Sequence, residues 1–273
     1  MRGSLFTVVH LPVASGVYVS VRRARPGAIT LNGKSMRESF GAALHEVGNL
    51  LVSMAEAART QMRQATFALL TADKEAGERV VARDAEINDL YAQVEDRVLR
   101  LLAQQQPVAR DLRMVVTAQH VATDLERMGD LADHVAKTAL RRYPGAAVPA
   151  ELATVIAEMA EVADRIAGKI TLVLAAYDTK RAAELERDDD AMDELERDLF
   201  KVILGAEWAH GVEAAIDAAL LGRFYERYAD HAVNAGRHVI YLVTGSTVVA
   251  ADDLPPLRTA DEAAADEADP EDR

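Results

Sequence analysis

From Phe40 the apolar residues fall at Phe40, Leu44, Val47, Leu51, Met54, Ala58, Met62, Ala65 and Leu69, in steps of three and four. Such spacing puts them on one face of a long amphipathic helix. The pattern then returns. An offset of 105 takes Met54 to Met159, Leu69 to Leu174, Asp73 to Asp178, Asp84 to Asp189 and Leu90 to Leu195. Farther on the offset is 100, taking Glu126, Arg127 and Asp130 to Glu226, Arg227 and Asp230. A helix cannot bury an apolar face alone, so a repeated helical pattern predicts a repeated packed unit.

Punctuation between the periodic runs completes the outline. Asp73 and Asp178 suit helix N-caps, where a short carboxylate accepts from free backbone N–H groups. Pro107, after "QQQ", suits the first turn of a third helix. Arg141, Arg142 and Pro144–Gly145 mark that helix's end, and Gly145 and Gly245 close the third and sixth runs. The expected fold is all-α: two tandem three-helix bundles, six long antiparallel helices, from an internal duplication. The first bundle covers 36–145 and the second 146–247. Residues 1–35 read as a disordered or misassigned extension, with Met36 as the alternative start, and 248–273 as a disordered acidic tail.

Composition narrows the chemistry. Aromatic residues are 5% of the chain, while Ala, Leu and Val abound, a balance that favours helix. Cysteine is absent, which excludes disulfides and thiolate ligands and suits a reducing cytoplasm. Any metal must be held by carboxylate, imidazole or carbonyl groups. The net charge is −13; residues 1–35 carry five bases and no acid, and 251–273 carry nine acids and two bases. The remaining acidic body argues against nucleic acid as a partner. No apolar run reaches the ~18 residues of a membrane span, so direct membrane insertion is not expected.

Carboxylates recur inside this frame. "DLERMGD" places Glu126 and Asp130 four apart, and "FYERYAD" does the same for Glu226 and Asp230. On a helix these like charges are neighbours and repel, by about 0.2–0.5 kcal/mol per pair. Asp84 interrupts the apolar stripe between Val80 and Ile87, and Asp189 the stripe between Leu185 and Met192. One turn on lie Asn88 and Asp193. Each half therefore offers two oxygen-bearing pairs, Asp84/Asn88 with Glu126/Asp130 and Asp189/Asp193 with Glu226/Asp230. His134 and Asn234 extend the last two stripes by a turn. A bound cation would relieve the repulsion. The competing reading is a solvated acidic surface: Arg127, Arg227 and Arg223 are spaced to pair with Asp130, Asp230 and Glu226. Glu126 has no cation three or four residues away. Gly129, inside a helix, permits either close helix approach or open space over the carboxylates.

Other motifs are weak. "HEVGN" (His45–Asn49) is like a histidine-kinase phospho-acceptor box but has no ATP-binding domain after it. A single Glu-x-x-His, Glu207–His210, falls short of the two facing motifs of a di-iron bundle. There is no Walker loop or dinucleotide fingerprint, and no recognisable nucleophile–base arrangement. A metal-dependent enzyme or metal-storage bundle using the same carboxylates is the alternative to a binding protein.

"DLERMGDLADHVAK" (124–137), "RFYERYADHAVNAGRHVIYLVTG" (223–245) and "RDDDAMDELERDL" (187–199) resemble signature helices of the PhoU family, over about 36–245. The resemblance looks closest to actinobacterial members. It implies a cytoplasmic regulator and not an enzyme, peripheral at the inner face of the membrane through its partners. Those partners would be the ATPase subunit of an ABC-type phosphate transporter and a phosphate-sensing histidine kinase. The role implied is negative regulation of phosphate uptake and of phosphate-starvation signalling. It also implies a homodimer, and metal (Fe, Zn, Mn or Mg) at Asp84, Glu126 and Asp130 in one site and Asp189, Asp193, Glu226 and Asp230 in the other. Asn88 departs from the acidic pattern and leaves the first site one charge poorer.

Overall fold

The computed structural model describes residues 6–13, 17–24 and 33–246. The chain divides into two compact units, Met1–Ala43 and Leu44–Arg273. In the first, β1 (Phe6–Val13) pairs antiparallel with β2 (Val17–Ala24), from Phe6 opposite Ala24 to Val13 opposite Val17. Both strands lie within the stretch 1–35 that the sequence reads as a disordered or misassigned extension. Thr7, Val8, Val9, Val17, Tyr18, Val19 and Val21 are residue types that fit a pleated backbone. The tail expected over 248–273 lies outside the described residues.

Six helices follow: α1 Gly33–Thr71, α2 Lys74–Gln105, α3 Ala109–Arg142, α4 Ala150–Ala176, α5 Thr179–Ile203 and α6 Gly211–Thr244. Asp73 and Asp178 cap α2 and α5, accepting from the Ala76 and Arg181 N–H groups at 2.9 and 3.0 Å. Gly245, at φ 76°, closes α6, and its N–H donates to the Tyr241 carbonyl at 2.8 Å. Pro107 stands outside α3 and not in its first turn. Gln106 (φ 47°) ends α2 in the left-handed region, and proline commonly follows such a cap. Among the described residues no helix is long and apolar enough to cross a membrane.

Within the second unit α2 packs on α3, and α4 and α5 pack on each other and on α6. The Gln61 side-chain amide ties α1 to α2 by donating to the Arg83 carbonyl at 3.0 Å. The cores repeat as the sequence does: Met54, Ala58 and Leu69 are buried on α1, as are Met159, Ala163 and Leu174 on α4.

The halves meet mainly along α3 and α6. His120 lies against His238, Asp124 against Asn234, His134 against Phe224 and Arg141 against Asp217. One number rises as the other falls, so the helices run antiparallel. The 100-residue offset turns the Asp124/Asn234 contact into the Phe224/His134 contact with partners exchanged. A pseudo-two-fold axis therefore relates the halves, crossing the pair at the level of Gly129 and Ala229. On α1 and α4, Arg59 makes a two-pronged bond to Asp164, Nε to Oδ1 and Nη2 to Oδ2, both 2.7 Å. These residues are 105 apart, so equivalent positions face each other, as they must near the axis. Buried Thr66 and Tyr225 hydroxyls, 2.6 Å apart, add a further tie between α1 and α6.

Gly129 serves close approach. A Cβ there would lie 2.7 Å from Ile87 Cδ1, and one on Gly236 would lie 2.7 Å from Leu185 Cδ1. Their repeat equivalents are Ala229 and Ala136. A larger group at either glycine overfills a helix contact, at a cost of about 1–3 kcal/mol. Gly129→Val and Gly236→Val should each lower the unfolding free energy by that amount, read as a lower denaturant midpoint with unchanged slope. Gly41→Ala, at an exposed helical site with nothing within 4 Å, should leave the midpoint unchanged or raise it.

Candidate functional site

The spacing of the first cluster follows from the α2–α3 contact. Ile87 is buried against α3, so Asp84, one turn earlier, lies half-buried at the same seam. Asn88 Nδ2 donates to Asp84 Oδ2 at 3.0 Å. Burial, then the nearby Asp133 and Asp130, push the Asp84 carboxyl above its usual range. Burial and Asp130 do the same to Glu126, with Asp84 adding to the repulsion. Arg127 partly relieves it, 2.9 Å from Asp130 Oδ2 and 3.5 Å from Glu126 Oε2. Glu126 thus has a cation after all, from the adjacent residue, which helical spacing rules of three and four overlook.

The second cluster, between α5 and α6, is less relieved. Glu226 is only 9% exposed. Burial foremost, then Asp230, push it up to about 7, against the opposing charge of Arg223. Burial, then Asp230 and Asp193, push Asp189 up to about 6. Arg223 bonds Glu226 through Oε1 alone. Glu226 Oε2 and Asp189 Oδ1 are buried with no hydrogen-bond partner. Buried oxygens of this kind cost free energy unless something compensates them. Neither Asp84, Glu126 nor Asp130 has such an atom.

The structure brings together Asp84, Asn88, Glu126 and Asp130, and separately Asp189, Asp193, Glu226 and Asp230. It engages His134 and Asn234 elsewhere. The His134 ring stacks on Phe224 at 5.2 Å, and the Asn234 amide donates to Asp124 at 2.9 Å. Each four-residue step turns about 40° past a full helical circle, so the two-step extension leaves the clustered face. Among the described residues no three His, Asp or Glu side chains are grouped to hold a metal as they stand. The donor chemistry nonetheless fits a hard cation at the second cluster, where two orphaned carboxylate oxygens remain.

Sequence reading passed over Asp124, which is buried and takes His231 Nδ1 at 3.0 Å on one oxygen and Asn234 on the other. Its repeat equivalent is Phe224, so duplication gave no signal. Its place between buried Val121 and Leu125 on α3 did.

The fold and its sites define a class: a duplicated three-helix bundle with one carboxylate cluster per half. The family model for the PhoU domain matches residues 51–139 and 156–239. The phosphate-specific transport system accessory protein PhoU homolog 2 of Mycobacterium tuberculosis is 44% identical over 211 residues, 77% of this chain and 99% of that protein. The PhoU homolog of Clostridium acetobutylicum is 31% identical over 78% of this chain and 97% of its own. The crystal structure of the phosphate transport system regulatory protein PhoU from Streptococcus pneumoniae matches with a TM-score of 0.69 and 25% identity, covering 77% of this chain and all of that one. PhoU from Pseudomonas aeruginosa matches at 0.67, with 26% identity over 76% of this chain. The chain belongs to the PhoU family.

The raised carboxylates set a pH dependence. A carboxyl whose folded value exceeds its unfolded one holds its proton better when folded. Its penalty is absent below the unfolded value near 4 and complete above the folded value, about 6 for Asp189 and about 7 for Glu226. Metal-free protein should therefore melt at a higher temperature as pH falls from 7.5 to 5. Glu226→Gln should flatten that rise and stabilise the protein at pH 7.5, as thermal melts across this range will read.

Proposed function

We propose that this protein is a cytoplasmic regulator of phosphate transport that restrains high-affinity uptake and phosphate-starvation signalling when phosphate is plentiful. The observation that carries the reading is the paired carboxylate clusters on a duplicated PhoU frame, in a chain whose relatives are named transport-system accessory proteins. Its partners on this reading are the ATPase subunit of an ABC phosphate transporter and a phosphate-sensing histidine kinase, which hold it at the inner face of the membrane. It acts as an adaptor and not as an enzyme, and a homodimer is the proposed assembly. Deleting the gene should raise alkaline phosphatase and transporter expression in phosphate-rich medium, measured by reporter assays, and the wild-type gene should reverse this. Unchanged expression after deletion counts against the proposal.

The clusters are proposed to hold divalent or iron-type cations (Fe, Zn, Mn or Mg). Asp189, Asp193, Glu226 and Asp230 would hold one, and Asp84, Asn88, Glu126 and Asp130 a weaker one. The bound cation would supply positive charge that the clustered oxygens now draw in part from Arg223 and Arg127. It would thereby fix each helix pair and the surface shown to partners. A ligand that binds only the folded state stabilises it by about 2.7 kcal/mol at a hundredfold excess over its dissociation constant. Saturating Mn or Zn should accordingly raise the melting temperature. Asp189→Asn with Glu226→Gln should remove most of the gain, and Asp84→Asn with Glu126→Gln less of it. A metal-dependent enzyme or storage bundle would use the same oxygens, and turnover of a phosphoester by the loaded protein would favour it.

A further inference from the structure

The two ends of the α3–α6 pair are related by the pseudo-two-fold axis but differ in chemistry. At one end the α3 arginines find acids: Arg141 lies 3.0 Å from Asp217, and Arg142 lies 2.9 Å from Glu213. The repeat turns Glu213 into Arg113, Asp217 into Thr117 and Arg141 into Tyr241. At the other end Arg113 therefore meets the Tyr241 ring, at 5.6 Å, in place of a carboxylate. Arg113 is half-buried, and its Nε has no hydrogen-bond partner. Among the described residues no acid pairs with it. Arginine is seldom turned inward without a partner, and a ring face offsets only part of its lost hydration.

A cleft of about 630 Å³ opens beside it, lined by Leu112, Arg113, Val116, His120, Arg237 and Tyr241 among others. That volume falls in the range of small-molecule sites, roughly 300–1,000 Å³. Leu112 and Val116 are 41% and 42% exposed, an apolar stripe one turn apart. His120 stacks on His238, with ring centres 5.1 Å apart and 14° between the planes, and gives the wall a flat face. Arg237 pairs with Glu186 at 3.0 Å, but both are well exposed, and such pairs exchange partners at little cost. Apolar and flat surfaces thus converge with two arginines, one of them without an acid. A guanidinium suits a carboxylate or a phosphate, which it can hold by two parallel hydrogen bonds.

We propose that the cleft between α3 and α6 binds a small aromatic anion, its ring against Leu112, Val116 and His120 and its carboxylate or phosphate on Arg113 and Arg237. Bound there, the ligand touches both α3 and α6 and fastens the two halves of the chain together. The site uses no residue of either carboxylate cluster and does not depend on the function proposed above.

Two dyes sharing one ring system test this on the full chain: anilinonaphthalene sulfonate, an anion, and its uncharged parent phenylnaphthylamine. By fluorescence titration the anionic dye should bind one per chain and about tenfold tighter than the neutral one, the worth of a hydrogen bond to a charged group. Arg113→Gln with Arg237→Gln should erase that difference yet leave the neutral dye bound, which separates lost charge from lost folding. Val116→Asp should weaken the anionic dye about tenfold, by charge and lost apolar contact. Ile216→Asp should leave it unchanged; Ile216 is the repeat equivalent of Val116 and is also exposed. Phenyl phosphate or benzoate should displace the dye at about a tenth of the concentration that inorganic phosphate needs. Equal affinity for the two dyes, indifference to the arginine changes, or an equal loss in Ile216→Asp overturns the proposal. Displacement by neither aromatic anion, or by inorganic phosphate as readily, overturns it as well.

Discussion

Each bundle is organised around like charges held where water is scarce. Glu226 and Asp230 share one helical face, Asp189 approaches from the neighbouring helix, and burial is the largest influence on both Glu226 and Asp189. Carboxylates so placed stay together only because the surrounding apolar contacts hold the helices regardless. Met192 and Leu185 flank Asp189 in the core, as Ile87 and Val80 flank Asp84. Gly129 and Gly236 let the seams close. The arginines within the same motifs offset the repulsion in part, more fully in the first half, where Arg127 reaches two carboxylates. In the second cluster Glu226 Oε2 and Asp189 Oδ1 keep no partner, and there the demand for an added positive charge is greatest.

Duplication supplies the frame, and divergence between the copies supplies the differences in chemistry. Near the pseudo-two-fold axis equivalent residues must face each other, and Arg59 with Asp164 turns that requirement into a two-pronged ion pair. Away from the axis the copies are free to differ. Asp124 buries a carboxylate among His231, Asn234 and His238 where the other half has the Phe224 ring against His134. One end of the α3–α6 pair closes with Arg141, Arg142 and Asp217, while the other leaves a cleft walled by Arg113. A frame with two-fold symmetry thus presents surfaces without it.

The helices and their order were legible because one physical signal, a 3.6-residue apolar period, runs the length of every one of them, and because Asp73, Asp178 and Gly245 are unambiguous caps. The carboxylate clusters were legible through repetition: Asp84 and Asp189 break matching stripes. What was not duplicated was not seen. Asp124 and Asp217 have Phe224 and Thr117 as equivalents, and their roles arise from contacts across the halves that no single-helix spacing encodes. His134 and Asn234 meet Phe224 and Asp124, because an i,i+4 series extended by two steps drifts around the helix. The strands β1 and β2 were not legible, because two eight-residue runs show no 3.6-residue period and no helix cap to mark them.

The most direct test of the central claim is anomalous X-ray diffraction from crystals of the protein grown with Mn or Zn, collected at the metal's absorption edge. The account expects a peak between α5 and α6 within coordination distance, about 2.0–2.6 Å, of Glu226 and Asp189 oxygens, with a weaker one between α2 and α3. Occupied sites elsewhere, or both seams empty at saturating metal with Arg223 still on Glu226, would contradict it. The repeated acids would then be charge presented to a partner.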